Sequence, residues 1–149
     1  MLVRLAIDSD LPTVLNMARA NCEETCGEDT YSERRSRQLW DAYNEEANPT
    51  FFVAEGQGRE IVGFLMARCM YFDHRDGFYT AQSVLYVSPA KRGSRAAASL
   101  VKHFIAWSER IGASAILGGN DNSFRSEQTG RFLKKLGFEH VGFMMRKRL

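Results

Sequence analysis

The residues best suited to chemistry lie in one run, Leu85-Tyr86-Val87-Ser88-Pro89-Ala90-Lys91-Arg92-Gly93-Ser94-Arg95-Ala96-Ala97. Strand-forming residues stop at a proline, a basic turn of small residues follows, and an alanine-rich helix opens directly from it. Small residues let main-chain N–H groups approach a ligand, and the first turn of a helix leaves several of those donors unpaired. With the helix dipole they form a site for an anion, to which Lys91, Arg92 and Arg95 add positive charge. The expected guest is a phosphate or pyrophosphate. Taken as spacing alone, a Gly-Ser turn before a helix is an ordinary connection.

The second group of candidates is acidic. Residues 19–49 hold eight acids, Glu23, Glu24, Glu28 and Asp29 among them, against four bases. Residues 87–110 carry five bases and one acid, and residues 131–149 six bases and one acid. An acidic early segment thus accompanies a basic second half, which suits a site holding a cation on one side and an anion on the other; plain solvated helix faces would give the same asymmetry.

The elements that must position these groups follow from periodicity. Residues 3–7 read as a strand, 10–21 as a helix with Pro12 in its first turn, 22–30 as a loop, and 32–46 as a second helix. Strands are expected at 51–55, 61–71 and 78–87, joined by short turns into an antiparallel meander. A helix from the Gly93-Ser94 turn ends at Gly112, and a strand at 115–117 and a helix at 126–136 follow. A closing strand is expected at 140–148. The order is β-α-α-β-β-β-α-β-α-β, one α+β domain over residues 1–149.

In this topology, Val87-Ser88-Pro89 followed by Arg92-Gly93-Ser94-Arg95-Ala96-Ala97 resembles the acyl-CoA-binding motif of the GCN5-related N-acetyltransferases (the GNAT family). The strand–helix start and Leu136-Gly137-Phe138 before the last strand are similar too, and phage-encoded members come nearest in layout. The resemblance implies the GNAT fold, a mixed and mostly antiparallel sheet flanked by helices. It implies an enzyme, an N-acetyltransferase moving an acetyl group from acetyl-CoA to a primary amine by direct transfer, without a metal. Leu85, Tyr86, Val87, Lys91, Arg92, Gly93, Ser94, Arg95, Ala96, Ala97 and Asn120 would bind the cofactor. A bulge before the motif would free an amide of Leu85, Tyr86 or Val87 for the thioester oxygen. Arg95 stands where the motif has glycine; it either strains a left-handed position or begins the helix. The family's glutamate and tyrosine positions hold Gln82 or Ser83 and Leu133, so the mechanism that the resemblance implies would take Glu24 as general base, with Tyr79 and Tyr86 as further catalytic candidates and Glu23, Asp73, His74, Ser126 or a water chain as substitutes. A solvated loop carboxylate and a packed sheet aromatic are the competing readings of Glu24 and Tyr79. Asn120 and Asn122 would touch the pantetheine arm or simply shape a turn.

Composition bounds the alternatives. The chain has 149 residues, 20 Lys plus Arg against 18 Asp plus Glu, and 44% apolar residues, which is globular and long enough for a core. No run reaches the ~18 apolar residues of a membrane span. The start lacks a signal-peptide pattern, and three cysteines make no disulfide framework, so a cytoplasmic protein is expected. Cys22 and Cys26 lack the histidines of a zinc site. The partners expected are acetyl-CoA and an amine acceptor of cationic character, with a homodimer as the oligomeric expectation and no membrane or nucleic acid. Two rivals remain: a catalytically silent CoA-binding or protein-binding module of the same fold, and a basic nucleic-acid or virion-associated protein using Arg146, Lys147 and Arg148.

Overall fold

The middle strands are apolar on both faces and need cover on both sides. The computed structural model describes residues 1–27 and 29–147. β1 (Leu2–Leu5) leads through a 3₁₀ turn at Asp8–Asp10 into α1 (Leu11–Thr25) and α2 (Glu33–Glu46). β2 (Thr50–Glu55), β3 (Ile61–Tyr71) and β4 (Phe78–Val87) form the meander. A 3₁₀ turn at Pro89–Lys91 then leads to α3 (Ala96–Arg110), β5 (Ala115–Leu117) and α4 (Ser126–Lys134). The sheet order is β1-β2-β3-β4-β5, antiparallel except for β5, which runs parallel to β4.

Alternation along β2 divides the interior. Phe52 and Ala54 pack with Leu100, Val101 and Phe104 of α3, while Phe51 and Val53 pack with Val14, Met17 and Trp40 of α1 and α2. Below α3, Thr80 and Ser108 share a buried hydroxyl hydrogen bond of 2.7 Å, and Ser108 also donates to the Phe104 carbonyl. Arg4 ties the edge together, bonding Asp10 at 2.7 Å and Glu55 at 2.6 Å. Its guanidinium holds the Asp10 carboxyl below the usual carboxylate range.

Two expectations about the elements need correction. The loop expected from Cys22 begins later, because α1 continues to Thr25. The Thr25 hydroxyl donates to the Asn21 carbonyl, Cys26 N–H donates to the Cys22 carbonyl, and Gly27 at φ +64° breaks the helix. The closing strand is not formed at 140–147, and Arg148 lies outside the described residues, as do Leu149 and Glu28. β5 has three residues and is followed by Gly118 and Gly119, so it offers little ladder to pair with. The chain leaves the core after Phe138, exposing Val141 (78%) and Phe143 (90%).

Candidate active site

A parallel strand pair must separate to leave a gap, and β4 and β5 do so early. They pair only at Tyr79–Ala115, Thr80–Ile116 and Ala81–Leu117. Beyond that point β4 continues to Val87 with no strand on this side, among the described residues. Gln82 spans the vertex, its amide donating to the Gly119 carbonyl at 3.3 Å.

On its other side β4 pairs with β3, and the register shifts so that Met66 faces Val84 and Ala67 faces Gln82. Ser83 is therefore the extra residue of a bulge, earlier in the strand than the expected position at 85–87. The bulge reverses which side chains face which helix. Leu85 and Val87 pack toward α3, whereas Val84 and Tyr86 pack toward α1 and α2. Ser88 N–H donates to the Val62 carbonyl at 3.0 Å, which sets the ladder's alternation. By that alternation the main-chain groups of Val84 and Tyr86 turn to β3, and those of Leu85 and Val87 turn to the gap. Arg92 Nε donates to the Val87 carbonyl at 3.1 Å, as this orientation requires. Tyr86 accordingly drops out as the freed amide, leaving Leu85 and Val87.

The turn at the mouth of the gap is partly self-satisfied. The amides of Lys91, Arg92 and Ser94 donate to Ser88, Pro89 and Lys91 carbonyls, and Ala96 N–H donates to Ser94 Oγ at 3.2 Å. The amides of Gly93, Ala97 and Ala98 have no partner among the described residues. Gly93 sits at φ +84° on open surface, where an added Cβ would meet nothing within 4 Å. Arg95 has φ −76° and ψ −2°, so it begins the helix without strain and projects an exposed cation. The donor set fits an anion at the start of a fifteen-residue helix.

Two of the three expected cations are already engaged. Lys91 lies 3.4 Å from Glu60 in an exposed pair. Arg92 makes a two-pronged pair with Glu24, Nη1 to Oε1 and Nη2 to Oε2, while its Cζ lies 5.7 Å from the Tyr86 ring centre. The hydrogen bond from Arg92 holds the Glu24 carboxyl below its ordinary range, with Arg125 adding attraction. With both carboxylate oxygens on Arg92, Glu24 stands in this structure as an ion-pair partner and not as the solvated loop carboxylate. Instead, Glu24 joins the end of α1 to the basic turn.

The remaining candidates disperse. Tyr79 lies at the opposite end of β4 from the turn, roughly 26 Å of extended strand away. Its ring packs on Phe72 and its hydroxyl donates to Met70 Sδ at 3.5 Å. Burial pushes the Tyr86 hydroxyl up. The Asn120 amide shapes the turn before α4, donating to Asn122 Oδ1, the Phe124 carbonyl and Ser126 Oγ. Sequence reasoning missed Arg125, which precedes α4 at φ +50° and acts on Glu24 across the chain. Among the described residues, no cluster of His, Cys, Asp or Glu could hold a metal, and no helix is long and apolar enough to cross a membrane.

The profile of the "Acetyltransferase (GNAT) family" matches residues 13–138. No curated protein matches the sequence. A Trypanosoma brucei acetyltransferase superposes with a TM-score of 0.78 at 21% identity, covering 99% of both chains. A transcriptional regulator from Bacillus halodurans C-125 gives 0.77 at 21% identity, covering 98% of this chain and 99% of its own. The aminoglycoside antibiotic 6'-N-acetyltransferase AAC(6')-IG from Acinetobacter haemolyticus gives 0.69 at 18%, covering 99% of both. These neighbours share the fold, and they lend no support to a phage origin.

Proposed function

Because this chain belongs to the acetyltransferase (GNAT) family, we propose that it moves an acetyl group from acetyl-CoA to a primary amine by direct transfer. The observation that carries this reading is the gap beyond Ala81 and Leu117, with the open turn before α3 at its mouth. The pyrophosphate would meet the amides of Gly93, Ala97 and Ala98, with Arg95 free to approach it. The pantetheine arm would enter beside β4, using the main-chain groups of Leu85 and Val87 in place of a strand.

In the transfer, the amine nitrogen attacks the thioester carbonyl carbon, a C–N bond forms and the C–S bond breaks. The amine proton leaves to water and the CoA thiolate is protonated. An amide of Leu85 or Val87 would donate to the oxygen that gains charge. An aminoglycoside N-acetyltransferase of the same fold supports an amine as acceptor, and Glu23 and Asp29 beside α1 favour a cationic one. Three free thiols suit a reducing, cytoplasmic setting. Self-association would cover the exposed run at 141–145, and sedimentation velocity reads it directly.

Calorimetry with CoA and acetyl-CoA tests the reading, followed by thiol release over an amine panel. One observation favours a second reading: the pair with Arg92 occupies the carboxylate nearest the turn, as a silent CoA-binding module would allow. Binding with turnover decides for the enzyme, binding without turnover for the module, and no binding rejects both.

A further inference from the structure

Opposite α3, the helices α1 and α2 do not seal the sheet. They flank an apolar pocket of about 180 Å³, partly open to solvent, over Phe64, Met66 and Val84, beneath Leu15, Ala18 and Trp40. Its lining is mostly hydrocarbon, with Asn21 and Ser36 among the polar exceptions. Tyr31 and Trp40 line it, yet their polar tips are spent elsewhere: the Tyr31 hydroxyl donates to the Leu15 carbonyl at 3.3 Å, and Trp40 Nε1 donates to Asp8 at 3.2 Å. Cys22, also on the wall, is kept as a neutral thiol, with burial pushing its pKa up to about 11.

The cavity adjoins the transfer gap. Val84 on its floor precedes Leu85, whose main chain faces the gap, and Cys22 on its wall is two residues from Glu24. An apolar cavity of ~150 Å³ stays dry and accepts benzene, so this one has room for a single six-membered ring. The aromatic walls, which include Phe51 and Phe64, favour an aromatic guest in edge or offset contact.

We propose that the acceptor is an amine carrying an aromatic ring, the ring lodging in this cavity while the nitrogen reaches the β4 edge. This rests on the acetyltransferase reading for its chemistry, but the ring site itself does not.

The test has two arms. Saturation-transfer NMR with 2-phenylethanol, which has no amine, should show ring contact with the protein, weakened at least fivefold in Ala18→Phe. Acetyl transfer should favour 2-phenylethylamine over propylamine and spermidine by at least tenfold in kcat/KM, with that ratio collapsing toward one in Ala18→Phe. Val84→Phe is the second filling variant should Ala18→Phe not fold. Absence of ring contact overturns the proposal whatever the activity. Ring contact with equal use of all three amines overturns it too, while leaving the transferase reading intact. Ring contact without CoA binding upholds the ring site and rejects the transferase reading.

Discussion

The two faces of the sheet are built to different standards. Toward α3, Phe52, Leu65, Leu100, Val101 and Phe104 are fully buried. Toward α1 and α2, Val53 and Phe64 are fully buried as well and Trp40 is 2% exposed, but the packing leaves the ring-sized pocket open. The closed face supports the start of α3, where small displacements would spoil a set of amides aimed at one anion. The open face has no such burden and, on the proposal above, leaves room for the acceptor's ring. Among the described residues, the ion pair of Glu24 with Arg92 joins the open side to the basic turn.

Core truncation should separate the two faces most widely. Leu100→Ala should cost about 2–5 kcal/mol, since a filled site cannot collapse. Leu39→Ala, on the cavity wall and already half-buried, should cost about 1 kcal/mol or less. Urea melts of both variants check this, and equal costs would erase the distinction between the faces. Next in size, Arg92→Glu should weaken acetyl-CoA binding by about a hundredfold, since it replaces the cation paired with Glu24 by a second negative charge beside the open amides of the turn; calorimetry reads it.

Glu24→Gln tests the link between the faces. Loss of the two-pronged pair should cost roughly 1–2 kcal/mol of stability. It should also tighten acetyl-CoA several-fold, because the carboxylate no longer competes with phosphate for the guanidinium. Weaker binding would instead show that Glu24 positions Arg92. The same pair sets a pH dependence. The folded Glu24 and Asp10 carboxyls lie below their ordinary values, so their contribution is whole above about pH 4.5 and is lost as pH falls through the folded values. Thermal melts should therefore show no loss from these groups between pH 7 and about pH 5, then a steep decline.

The smallest effects belong to the turn. Gly93→Ala should cost about 1 kcal/mol from its left-handed backbone alone, as the added methyl meets nothing. Arg95→Ala should stay within about 0.5 kcal/mol, since Arg95 already has helical geometry. A large loss at Arg95 would mean the turn is strained after all.

Most of the fold was legible because its signals are local. The helix periodicities, the meander turns and the proline-to-helix turn each reside in a dozen neighbouring residues, and the element order survives except at the end. The closing strand failed because an alternating sequence needs an edge to pair with, and β5 is too short to supply one. The turn was readable as a strand-to-helix connection with open amides, but its electrostatics were not. Glu24 reaches Arg92 across 68 residues of sequence, and no spacing rule announces such a pair. That contact makes Glu24 an ion-pair partner of the basic turn. The bulge at Ser83 lay beyond reach for a similar reason, since register depends on β3 as well as on β4.

Amide hydrogen exchange with and without acetyl-CoA tests the anion site most directly. Slowed exchange at Gly93, Ala97 and Ala98, together with Leu85 and Val87, is the predicted result. Unchanged exchange at these five amides under saturating acetyl-CoA would contradict the account.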